Sequence, residues 1–159
     1  MKSWERIWEW SSCDGKEGAG HIPLDESTLW RSDFFGKKAC PHDHVHANSV
    51  DKTPQGDYIL SCRHTDTLYK ISRTDSRIIW RLGGLKSSFT RVDDFKFSRQ
   101  HHVRHRGGNA THTILSILDN AQANSGNQLP TYPHSRGLAI ALDGASTPMT
   151  AQFVSQYVN

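Results

Sequence analysis

Cysteine is scarce in this chain, with Cys13, Cys40 and Cys62 alone among 159 residues, and no Cys-x-x-Cys pair occurs. That spacing excludes a zinc ribbon and a thioredoxin-type redox motif. It leaves room for one intramolecular disulfide in an oxidising compartment, such as Cys13–Cys40, but the spacing does not show which cysteines pair. No apolar run approaches the length of a membrane-spanning helix. The first ten residues, Met1 to Trp10, are charged and aromatic and hold no apolar h-region, so no signal peptide is visible, and targeting information is expected upstream. Asn109-Ala110-Thr111 is an N-glycosylation acceptor pattern compatible with secretion, but the compartment stays open. Long Lys/Arg blocks are missing too. The net charge is only +3, and the one local basic run, Arg99, Arg104 and Arg106 with His102 and His105, reads as a solvated face. No nucleic-acid partner is expected.

What the chain does have is strand patterning and histidine. Apolar residues make up 35% and mean hydropathy is −0.64, low for a self-sufficient core yet above the disordered regime. Residues 44–51 read as a strand. After the turn Thr53-Pro54-Gln55-Gly56, residues 57–63, 67–72 and 77–82 read as strands, the middle one alternating, and the last ends on Gly83-Gly84. Four short antiparallel strands in this span make a meander the size of one propeller blade. The order then recurs: 100–106, 111–119, 136–143 and 150–158. Trp8 and Trp10 read as the last strand of a preceding unit. The predicted organisation is all-β: one strand (1–12), a loop insertion (13–43), a blade (44–84) and a second blade (97–158). A small β-sandwich of the same strands is the alternative. It is weaker, because the repeat keeps its order and a His-rich strand starts each unit. Two blades leave apolar faces and strand edges open, so self-association is expected.

The ten histidines are an excess that calls for a reason, since imidazole is the side chain best placed to titrate, attack or donate near neutral pH. His46 and Asn48 stand two apart, which on a strand puts them on one side. Arg63 ends an apolar strand, and His101 opens the first strand of the next unit. Imidazole, amide and guanidinium groups converging from successive sheets suit a tetrahedral anion. His64, His102, His105 and His112 read as structural or solvent-facing. Trp80, Phe153 and Tyr157, on the last strands, read as packing. Two other readings compete: a zinc-dependent hydrolase using His42, His44 and His46 at alternate positions, and a propeller fragment acting as a non-catalytic binding module.

Four ordered stretches resemble the arylsulfotransferase family, most closely its fungal, arylsulfotransferase-like branch. They are His46-Ala47-Asn48-Ser49-Val50-Asp51, Gly56-Asp57-Tyr58-Ile59-Leu60-Ser61-Cys62-Arg63-His64-Thr65, Ile78-Ile79-Trp80-Arg81-Leu82-Gly83-Gly84 and Phe97-Ser98-Arg99-Gln100-His101. The Trp10 region and residues 21–27 are similar as well, so the resemblance covers most of positions 8–120. It implies a six-bladed propeller with its active site at the central channel, of which this chain is a fragment. It also implies sulfuryl transfer from a small-molecule aryl sulfate to a phenol, without cofactor, metal or nucleotide donor. The histidine that is transiently sulfated in the family matches His101. The family's His-x-Asn pair falls on His46 and Asn48, and the arginine of its Ser-Ser-Arg-His motif on Arg63. Two departures are Cys62 in place of the second serine, and His102.

Overall fold

The computed structural model describes residues 8–13, 21–28, 43–123 and 130–158. These form two sheets, the first antiparallel and the second antiparallel but for one edge strand, with no α-helix among them. The first sheet is the meander β1 (Ala47–Lys52), β2 (Tyr58–Cys62), β3 (Thr67–Ile71) and β4 (Ile78–Gly83). In the second, β6 (His101–Gly108), β7 (His112–Asp119), β8 (Arg136–Asp143) and β9 (Thr150–Tyr157) run in sequence order. The two-residue strand β5 (Thr90–Arg91) adds parallel to β9 at its edge. The sequence pattern had not marked β5.

Period-two alternation makes these strands and decides which side of each is buried. Along β7, Thr113, Leu115, Ile117 and Asp119 are buried while Ile114 and Leu118 are exposed. Along β8, Leu138, Ile140 and Leu142 are buried and alternate with Gly137, Ala139 and Ala141. In the first sheet β3 is buried on both faces, and Leu68 and Tyr69 serve different cores. Ile59, Leu68, Trp80 and Leu82 pack against Val103, Leu115, Ile117, Leu138 and Ile140 of the second sheet, with Phe89, Phe95 and Phe97 between. Each fully buried aliphatic side chain there contributes roughly 1.5–3 kcal/mol of transfer free energy. The opposite face of the first sheet, Cys62, Tyr69 and Ile71, is covered by Ile22 and Val45, with Trp8 and Trp10 alongside.

The segment that covers this face is pinned by charge. Glu26 follows Leu24 and Asp25 in a 3-10 turn. Its buried carboxylate accepts from Tyr69 Oη at 3.0 Å and from Arg81 Nε at 3.0 Å. Trp8 stacks on Tyr58 with ring centroids 4.1 Å apart.

Three expectations need correction. Residues 8–10 are in no strand; their aromatics lie on a sheet face instead, and residues 1–7 of that predicted strand are outside the described set. The first strand begins at Ala47, not at 44: the chain bends at His46, whose φ is 49°, and upstream of it only the His46 and Val45 carbonyls go on pairing, with the Arg63 and His64 N–H groups at 3.0 and 3.1 Å. Trp80 is a core residue with Phe89 edge-on at 5.5 Å, but Tyr157 is 73% exposed and packs no core. Cys13 is disulfide-bonded, Cys62 is a free buried thiol, and Cys40 lies outside the described residues. Among the described residues no helix is long and apolar enough to cross a membrane.

Candidate active site

The site lies where the first strands of the two sheets run beside each other. Ser49 Oγ accepts from the backbone N–H of Val103 at 2.9 Å, and Asp51 Oδ2 from that of His105 at 2.7 Å. Asn48 Nδ2 donates to the backbone carbonyl of Gln100 at 2.8 Å. Side chains of β1, Ser49 and Asp51 two apart and Asn48 at the bulge, thus replace a backbone ladder and hold β6 in a fixed register.

Gln100 is the buried knot of this junction. Its carbonyl also accepts from Ser61 Oγ at 3.2 Å, and its carboxamide Nε2 reaches the carbonyls of Cys62 at 3.0 Å and Thr67 at 3.2 Å. The end of β2, the start of β3 and the residue before His101 are therefore one unit. A 3-10 turn, Arg63–Thr65, joins β2 to β3 and closes on Asp66 in the left-handed region. Gly83 and Gly84, at the end of β4, press against this turn. Any Cβ at Gly84 would meet Thr67 Oγ1 and the Thr65 carbonyl, so the backbone approaches as only glycine allows.

His101 is half-buried, and its Nδ1 lies 2.9 Å from the backbone carbonyl of Arg99. A carbonyl only accepts, so Nδ1 carries the proton and Nε2 the lone pair. Arg63 donates from Nη2 to Gln122 Oε1 at 2.8 Å, beyond the end of β7, and from Nη1 to His64 Nε2 at 3.2 Å. It thereby bridges the two sheets at the same end as His101, which pairs with Leu118 at the end of β7.

His46 is placed otherwise than strand alternation implies. Its positive φ and the bulge between Ala47 and Ser49 break the period of two. Asn48 therefore turns to Gln100, while the His46 ring lies against Asp43 and His64. His46 Nδ1 is 2.6 Å from Asp43 Oδ2, and the His46 and His64 ring centroids are 4.5 Å apart. Contacts thus join His46 to Arg63 through His64, and Asn48 to His101 through Gln100. The Arg63 N–H also donates to the His46 carbonyl at 3.0 Å, a backbone contact; among the described residues no side-chain hydrogen bond directly links two of these four. His64, read from sequence as structural, is at the centre of the cluster. Burial holds its pKa below the ordinary imidazole value, against the opposing pull of the Asp43 carbonyl and carboxylate; the His46 and Arg99 charges lower it further. Asp43 was not singled out from sequence, though its place three residues before His46 suits a turn contact.

The alternate-position metal cluster is not formed. His44 is buried, and its Nε2 bonds the Ile22 carbonyl at 3.0 Å; His42 is outside the described residues. The trio that does gather is Asp43, His46 and His64. A cavity of about 340 Å³ opens beside it, lined by Trp10, Ser12, Asp43 and His46 among others.

Among curated proteins none matches this chain. The family model described as arylsulfotransferase (ASST) matches residues 5–157, nearly the whole sequence and all nine strands. On that match the chain belongs to the arylsulfotransferase family.

Proposed function

We propose that this chain carries a sulfuryl-transfer site in which His101 is the nucleophile. The observation that carries the reading is the hydrogen bond from His101 Nδ1 to the Arg99 carbonyl, which occupies Nδ1 and makes Nε2 the nitrogen that attacks. In the first half-reaction Nε2 attacks the sulfur of an aryl sulfate, the sulfur–aryl oxygen bond breaks, and the leaving phenolate takes a proton from His46. In the second, a phenol oxygen attacks the N-sulfo sulfur, the nitrogen–sulfur bond breaks, and His46 accepts the phenol's proton. Arg63 supplies a fork of N–H donors to the sulfuryl oxygens, and the second N–H of Asn48 another.

The cavity between Trp10 and His46 offers an aromatic wall next to the acid–base group, which suits the ring of a phenol. The outer face of the second sheet supports the propeller reading. Ile114 and Leu118 are exposed there, and Leu118, Gly137 and Ala139 line a trough, the surface on which a further sheet would stack. Here a neighbouring blade, or another copy of the chain, would bury it.

The test is incubation with an aryl sulfate and a phenol acceptor. Wild type releases phenol faster when acceptor is added, and His101→Asn abolishes the acceptor-dependent rate. Release that is unaffected by His101→Asn removes His101 from the mechanism.

A further inference from the structure

Asp43 and His64 belong to no step of that scheme, yet they surround its acid–base group. His46 Nδ1 is 2.6 Å from Asp43 Oδ2. An ionised carboxylate can only accept, so the proton of this contact sits on Nδ1. We propose that Asp43 is the positioning residue of His46, accepting the hydrogen bond from Nδ1–H so that Nε2 is the nitrogen that exchanges protons with substrate oxygens. This deepens the sulfuryl-transfer reading and rests on it for its catalytic consequence; the tautomer itself does not.

Three further observations converge on it. Asp43 has a φ of 67°, a left-handed conformation that aspartate tolerates better than most residues. The bend lets one residue serve two imidazoles: its carboxylate holds His46, and its backbone carbonyl lies 2.6 Å from His64 Nδ1. His64 is fixed in turn, donating from Nδ1 to that carbonyl and accepting at Nε2 from Arg63. A ring that accepts from a guanidinium is neutral, which agrees with its lowered pKa. The His64 ring is tilted 39° to that of His46 at a centroid distance of 4.5 Å, confining the His46 ring from one side.

The charged and titratable groups around His46 are then Asp43 on its own segment, His64 and Arg63 on the turn after β2, and Arg99 ahead of β6, whose charge acts on His64. The same contacts favour a proton relay over a cation site. A metal on His64 Nδ1 would displace the Asp43 carbonyl and force a proton onto Nε2, against the Arg63 N–H that points there at 3.2 Å.

The experiment is two-bond imidazole nitrogen–proton correlation on the ¹⁵N-labelled full chain, at a pH where the rings are neutral, alongside the transfer assay. Wild-type His46 is expected as the Nδ1–H tautomer. Asp43→Ala moves it predominantly to Nε2–H, and Asp43→Glu restores Nδ1–H. In the assay Asp43→Ala lowers kcat by about 10²-fold or more with little change in KM, within the range of lost acid–base catalysis. A wild-type His46 in the Nε2–H form, or a tautomer indifferent to Asp43→Ala, overturns the inference whatever the assay gives. Tight zinc binding that Asp43→Ala abolishes overturns it as well. A wild type with Nδ1–H His46 but no transfer contradicts the sulfuryl-transfer reading and leaves the Asp43–His46 pairing standing.

Discussion

Arg99 donates its backbone N–H to Asp66 Oδ1 at 2.6 Å. The carbonyl of the same residue holds His101 Nδ1. Both Asp66 and Arg99 are in the left-handed region, with φ of 49° and 53°, so two bent backbones from different sheets are locked together behind the proposed nucleophile.

Asp66→Ala therefore strips the acceptor from a buried N–H. The expected cost is about 1–3 kcal/mol, that of an unsatisfied buried donor. Urea unfolding measures it. Asp66→Asn, which keeps an acceptor oxygen and tolerates positive φ, recovers most of the loss.

A second lock holds the loop around the site. Asp119 is fully buried and accepts from the N–H groups of Ser98 at 3.0 Å and Ala121 at 2.8 Å, and from Arg136 Nε at 3.0 Å. Arg136 itself reaches the Lys96 carbonyl and stacks over Tyr132. Breaking a buried pair from one side leaves an uncompensated charge, so Asp119→Ala costs about 3–5 kcal/mol. In a double-mutant cycle with Arg136→Met the two losses are expected to be strongly non-additive.

His64 makes stability fall on acidification. Burial lowers its pKa in the folded chain from the ordinary 6.5, so between the two values the unfolded chain binds more protons. Stability then rises with pH through this window. The neutral-His64 contribution is fully present above the unfolded value and lost as pH drops toward the folded one. Urea midpoints taken across that range fall on the acid side, and His64→Gln flattens the dependence.

Cys62 is chemically silent in the native state. Its thiol is pushed far up in pKa by burial, then by the nearby Glu26 carboxylate, and the thiolate is the reactive form. Iodoacetamide at mildly alkaline pH leaves Cys62 unlabelled in folded protein, and peptide mapping finds it alkylated once denaturant is added.

The fold was legible where alternation is strict. β7 and β8 keep a period of two through Leu115, Ile117, Leu138 and Ile140, and their buried faces follow directly from it. The meander order of the first sheet followed from its turns. β5 was illegible because two residues carry no period, and its pairing depends on β9 lying alongside. The Trp8–Trp10 alternation misled: large aromatics at alternate positions mark an apolar surface, and here that surface covers a sheet rather than extending one. Asn48, Arg63 and His101 could be picked out by residue type and position. The surroundings of His46 could not, because a positive φ and a bulge, neither written in the side-chain pattern, turn it away from Asn48 and toward Asp43 and His64. The zinc reading rested on the same alternation: His44 is drawn inward to the Ile22 carbonyl, and His46 gathers instead with Asp43 and His64.

The central claim is that His101 Nε2 becomes covalently sulfated. Incubation of the full chain with an aryl sulfate and no acceptor, followed by peptide mass mapping under alkaline conditions, tests it directly. The account predicts a single sulfuryl adduct on the peptide containing His101, lost on addition of a phenol and absent from His101→Asn. Transfer of sulfate to the phenol with no such adduct, or with the adduct on another residue, would contradict it.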